Sequence, residues 1–130
     1  VRFVVAIPLV GLAVAAAGCG GGSSKHYEAA AVRSCLVGKN LAMKPADLPG
    51  DVGPDGTEGN LAVRVGTTEV GLAFGKDADE ATNNADKEKA LAGVALGSSA
   101  DDYVRTKGNV AYWVTGTDTS AFDPVEDCLN

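Results

Sequence analysis

Two segments of strict alternation, joined by a turn of small residues, constrain this chain more than any other feature. In "NLAVRVG" the residues Leu61, Val63 and Val65 alternate with Ala62 and Arg64, and in "TEVGLAF" Val70, Leu72 and Phe74 keep the same period. A period of two puts one set of side chains on a single face of a strand. The Gly66-Thr67-Thr68 link is short enough only for an antiparallel return. "DYVRTKGNVAYWV" reads the same way, as a hairpin turning at Lys107-Gly108 with Val110, Tyr112 and Val114 on one face. Hairpins at 61–74 and 103–114 are therefore expected.

Helical signals surround and separate them. "KHYEAAAVRSCLVG" predicts a helix from Tyr27 to Val37, closed by Gly38, with Tyr27, Ala31 and Cys35 on one face. "NLAMK" offers a short optional strand. Asp77 followed three residues on by Glu80 resembles a capping box and opens a helix to Leu96, with Gly97 behind it. Its inward stripe would be Ala78, Ala81, Ala85 and Ala92, small enough for close approach to a sheet. "DPVEDCL" predicts a closing helix with Asp123 as cap, Pro124 at the first helical position and Val125, Cys128 and Leu129 facing inward. The order points to an α+β domain: an antiparallel sheet built from two hairpins, with helices packed on one face. Between the optional strand and the first hairpin, residues 45–60 contain three prolines and four glycines and read as an exposed loop.

The N-terminus has a different grammar. One cation, Arg2, precedes an apolar run from Phe3 to Ala17, shorter than the roughly twenty residues a spanning helix needs. The run ends in "AAGC", followed by "GGGSSK". A positively charged start, an apolar stretch and small residues are the parts of an export signal. The tetrad resembles the lipobox of bacterial lipoproteins, and the resemblance covers residues 1–19 only. It implies a signal peptide over 1–18, removed before Cys19, whose thiol carries a diacylglyceryl group while its amine is free for palmitate. Residues 19–25 would then be a flexible tether and 26–130 one small folded domain, held at the extracytoplasmic face of the cell membrane.

Three cysteines make an odd count for an exported protein. With Cys19 lipidated, Cys35 and Cys128 remain as a pair, near the two ends of the folded region. A disulfide between them would tie the first helix to the last, a closure that chain-entropy arguments value at about 4–5 kcal/mol.

Charge and motif narrow the function classes. The net charge is −6, and loss of Arg2 with the leader leaves 10 basic against 17 acidic residues, −7. Without a basic cluster, nucleic acid is not a partner of such a surface. The single histidine, His26, sits on the tether's edge, where neither a Ser-His-Asp nor a Cys-His arrangement would be fixed. "GLAFGKD" sits where a phosphate loop would, but its glycines enclose three residues rather than four, so a strand followed by a helix cap fits better. "DADEATNNADKE", from Asp77, lacks the glycine at position 6 of a calcium loop, and the helix pattern claims the same residues. Asp51, Asp55 and Glu58 read as a solvated acidic loop rather than a calcium site. No cofactor is implied.

Function is then expected to be a non-catalytic binding or structural module that meets the bilayer through Cys19 and an envelope protein or peptide through its surface. The alternative is a small extracytoplasmic hydrolase working with carboxylates alone. A two-lobed solute receptor needs more chain than this. The candidate contact surface is the second hairpin, where Tyr103, Tyr112 and Trp113 gather half of the mature chain's aromatic side chains. Trp113 alternates with Tyr112 and Val114, so a helix above it would make it core, and an open face would make it contact.

Overall fold

A computed structural model describes residues 25–44 and 54–130. The chain runs through helix α1 (Ala29–Gly38), strands β1 (Ala42–Lys44), β2 (Asn60–Val65) and β3 (Thr68–Phe74), helix α2 (Ala78–Leu96), strands β4 (Val104–Lys107) and β5 (Val110–Val114), and helix α3 (Phe122–Cys128). Short 3-10 turns at Gly97–Tyr103 and Thr119–Ala121 lead into β4 and α3. The strands form one sheet in the order β1-β2-β3-β5-β4, every neighbouring pair antiparallel. The α+β class, the two hairpins and the optional strand all stand as the sequence implied.

Both hairpin loops are two residues long. Val65 pairs with Thr68 around Gly66-Thr67, and Lys107 with Val110 around Gly108-Asn109. Gly66 and Gly108 open these loops at φ 62° and 55°, the left-handed conformation that tight hairpins demand at that position.

The helices divide between the two faces of the sheet, where one face was expected. On the first, α1 and α3 cover Val63, Val70, Leu72, Phe74, Val110, Tyr112 and Val114 with Val32, Leu36, Phe122, Val125 and Leu129. Helix α2 takes the opposite face, with Ala85 against Ala73, Val104, Ala111 and Trp113. Connectivity is the reason. Strand β4 lies beyond β5 and runs parallel to β3, so α2 is a crossover rather than part of a hairpin chain. Such crossovers are almost always of one hand, and the connection therefore selects the face.

Helix ends follow the local signals in part. Asp77 caps α2, its Oδ1 accepting from the Glu80 amide at 2.9 Å. Glu80 does not reach back to Asp77; it accepts from the Lys76 amide at 2.6 Å and from the amide and hydroxyl of Thr57. This pins residues 54–59 to the start of α2, and a Glu58 amide to Phe74 carbonyl bond of 2.8 Å fastens them to β3. Pro54 is buried, while Asp55, Thr57 and Glu58 are exposed as expected for this loop; residues 45–53 lie outside the described set. Helix α1 ends through Asn40, not Gly38. Asn40 sits at φ 61°, and the bonds Leu41 N–H to Leu36 O and Asn40 N–H to Val37 O make a Schellman closure. Its buried face is Val32 and Leu36, while Ala31 points outward. Asp118, not Asp123, caps the approach to α3, accepting from the Ser120 amide at 3.1 Å.

Cys35 and Cys128 are joined, with Cα atoms 5.8 Å apart. The bridge ties α1 to α3 within one layer, as the cysteine count implied. At the opposite end of that layer, buried Asn109 accepts from the Tyr27 amide at 2.6 Å and donates to the Tyr27 and Gly75 carbonyls at 3.0 and 2.8 Å. One side chain thus ties the N-terminal segment, the end of β3 and the second hairpin turn. The Tyr27 hydroxyl donates to the Leu129 carbonyl and closes the same ring of contacts.

Candidate functional site

The sequence placed the contact surface on Tyr103, Tyr112 and Trp113, and the structure does not bring these three into one patch. Tyr112 lies in the core beneath α3, edge-on to Phe122 with ring centroids 5.3 Å apart. Its hydroxyl donates to Glu126 Oε1 at 2.9 Å. Burial, and then this bond to a carboxylate, push the phenol well above the ordinary tyrosine range. Trp113 lies on the other face, 9% exposed, with its indole across Gly71, where a Cβ would meet the ring at 2.6 Å. The alternation that separated the two residues sends them to different cores. Only Tyr103 remains half-exposed, at the entrance to β4.

Tyr103 opens onto a cleft of about 510 Å³, lined also by Asp101, Asp102, Arg105, Thr117 and Thr119. The 3-10 turn before β4 forms one wall and the loop between β5 and α3 the other. Arg105 is held from behind: its Nη1 donates to Glu126 Oε1 at 2.7 Å, and its guanidinium stacks 4.4 Å over the Phe122 ring. Burial pushes the Glu126 carboxyl up, but the bonds from Arg105 and Tyr112 and the charges of Arg105 and Lys107 outweigh it and hold it below the usual carboxylate range. Asp101 stands 3.7 Å from Lys89 on α2, its side chain 75% exposed. The cleft therefore combines two carboxylates, two hydroxyls, a phenol and a positioned guanidinium.

A second polar feature lies beneath α2. Asn84 and Glu88, one turn apart on the inward side, are buried, and Asn84 Nδ2 and Glu88 Oε2 have no hydrogen-bond partner among the described residues. Desolvation pushes the Glu88 carboxyl up to about 7. That value suits a general acid, but Glu88 faces the sheet and does not line the cleft. Sequence reading passed over both residues because it counted the inward stripe as alanine. Their i, i+4 spacing, in register with Ala81 and Ala85, was the available signal.

The remaining candidates resolve as structural groups. His26 Nε2 is 2.8 Å from Glu58 Oε2, and Asp55 accepts from the Asn60 amide group at 3.2 Å. Asp51 and Cys19 lie outside the described residues. Among the described residues no group of three or more side chains could hold a metal ion, and no helix is long and apolar enough to cross a membrane. Comparison of the chain with known protein families, with curated proteins and with solved structures finds no match.

Proposed function

We propose that this chain is a bacterial envelope lipoprotein, anchored through acylated Cys19 at the extracytoplasmic face of the membrane, whose folded domain is a non-catalytic binding module. The observation that carries the reading is the Cys35–Cys128 bridge. Disulfides form and persist in oxidising compartments, and this one takes two of three cysteines, leaving Cys19 for the lipid. Two acyl chains hold a protein to a bilayer where one gives only reversible attachment.

Binding is favoured over carboxylate hydrolysis by how the acidic side chains are engaged. Glu126 is held by Arg105 and Tyr112, Glu69 by Lys44 at 2.5 Å, Glu80 by Thr57 and Lys76, and Asp127 by Lys39 at 3.3 Å. A glycosidase-like pair needs one carboxyl kept protonated opposite another across a cleft. The group with the raised proton affinity, Glu88, is on the far side of α2 from solvent. The cleft around Tyr103 is the surface that meets the partner.

Palmitate labelling in a producing cell tests the anchor. The parent chain should incorporate label and partition into detergent, and Cys19→Ser should accumulate as unprocessed, unlabelled precursor. Equal labelling of the two chains would sink the lipoprotein reading.

A further inference from the structure

Helix α2 changes character along its length. Through Asp86 its exposed side chains are polar or charged: Asp79, Thr82, Asn83 and Asp86. Beyond Lys87 they are Ala90, Leu91, Val94 and Ala95, with Leu91 46% and Val94 90% exposed. Lys87, Leu91 and Val94 stand at i, i+4 and i+7, so they line one outward stripe over two turns. Between Lys87 and Ala100 the single carboxylate is Glu88, and it is buried, in a chain that carries 17 acidic residues. Lys87 makes no ion pair among the described residues. The stripe therefore presents two large apolar side chains and an uncompensated cation, with no exposed anion along it.

Size and charge select what covers it. Leu91, Val94 and two alanines fall far short of the surface, about 800 Å² per partner, that a stable protein–protein interface covers. A contact this small serves a surface to which the chain is already tethered, because the tether supplies the effective concentration. A phospholipid bilayer is such a surface. Leu91 and Val94 would enter the headgroup boundary as the apolar face of an interfacial helix does, while the Lys87 methylenes lie beside them and its ammonium reaches a phosphate. Reach agrees with this. Asn109 holds the Tyr27 amide and the Gly75 carbonyl together, so the N-terminal segment enters beside the start of α2. The chain from Cys19 to Lys25 spans at most about 20 Å. Val94 lies about 24 Å along α2 from Ala78, so an anchored domain can rest with α2 along the surface. Lys89, two residues on from Lys87, faces the opposite flank and stands 3.7 Å from Asp101. Docking through the stripe thus leaves the cleft around Tyr103 turned away from the bilayer.

We propose that the Lys87, Leu91 and Val94 stripe of α2 is a membrane-contact face that seats the folded domain on phospholipid. This rests on the anchor through Cys19 and names the side of the domain that meets the bilayer. The test uses the protein as purified from a producing cell, acylated at Cys19, in nanodiscs of phosphatidylethanolamine and phosphatidylglycerol. Amide spectra are compared with and without a lipid that carries a nitroxide just below its headgroup. Residues 87–95 should lose most of their signal to the nitroxide, while residues 101–105 and 117–119 keep theirs. Val94→Glu should abolish that loss at unchanged Tm, and Lys87→Glu is a second exposed variant should the first fail to fold. Signal loss confined to residues 25–28 and 108, loss that is equal in the parent and Val94→Glu, or no loss at all overturns the proposal and leaves the anchor standing. Shifts at residues 87–95 that grow with protein concentration make the stripe an interface between copies and overturn the lipid as occupant. A chain whose mass lacks the acyl groups overturns the anchor and this proposal together.

Discussion

The two faces of the sheet are packed by different means. Under α1 and α3 lie the large fully buried side chains, Phe74, Phe122, Leu36, Leu72 and Leu129, with a disulfide across the layer and the Asn109 network at its end. Under α2 the contacts are alanines, Val104 and one indole lying on a glycine, with Asn84 and Glu88 buried among them, each with one polar atom unpaired among the described residues. Further along α2 the polarity is reversed, with Leu91 46% and Val94 90% exposed. Burial energy follows apolar area, about 25 cal/mol per Å², so alanine contacts contribute little per residue and an unpaired carboxyl subtracts from them. The difference teaches that the large apolar burial resides in the disulfide-bridged layer, while α2 adds small contacts and is fastened at its start by Glu80 to Thr57 and Lys76.

The largest effect should come from the bridged layer. Phe122→Ala removes a fully buried ring that packs on Tyr112 and carries the Arg105 stack, and should cost about 3–5 kcal/mol in urea unfolding. A loss below about 1 kcal/mol, the range of an ordinary surface substitution or a little more, would break the assignment of stability to this face.

A smaller, pH-dependent effect belongs to the α2 face. Unfolded, Glu88 titrates at the ordinary carboxyl value of 4.5; folded, at about 7. Between these values the folded chain holds a proton that the unfolded chain has released. The stability of the α2 face is therefore fully present below about pH 4.5 and is lost as pH rises through 7. Each pH unit between the two values is worth about 1.4 kcal/mol, and after a discount for partial solvent access the loss is on the order of 2 kcal/mol. Glu88→Gln should abolish that part of the slope, matching the parent near pH 4.5 and exceeding its stability near pH 8. Parallel urea midpoints for the two chains across this range would show Glu88 to be satisfied after all. Trp113, the single tryptophan, reports on the same face by fluorescence.

The smallest effect sharpens the comparison from outside. Val94→Ser alters the most exposed large apolar side chain of α2 and should change stability by no more than about 0.5 kcal/mol. A larger loss would place Val94 in a contact made in solution.

The arrangement of the cleft was only partly legible beforehand. Tyr103 was named because aromatic residues mark contact surfaces, but Tyr112 and Trp113 carried the same mark and proved to be core. Residue type alone does not distinguish them. Asp101, Asp102, Thr117 and Thr119 come from two loops on either side of the second hairpin, and nothing in their spacing announces that the loops converge. Glu126 lies within α3, yet its partners are Arg105 and Tyr112, side chains on two neighbouring strands that no local spacing brings to it.

Local periodicity and parity determined a good deal by themselves. The alternation at 61–74 and 103–114, the Asp77 cap and the pairing of Cys35 with Cys128 each depend on a few neighbouring residues or on a count. Tertiary structure alone decided the side of the sheet that α2 covers, the burial of Asn84 and Glu88, and the tie made by Asn109. The Asn109 tie joins residues 34 and 82 positions apart in the chain, and the other two share one physical reason. A helix has an inward face only relative to what it packs on, and that partner was chosen by the crossover from β3 to β4, a long-range connection whose geometry no local period encodes.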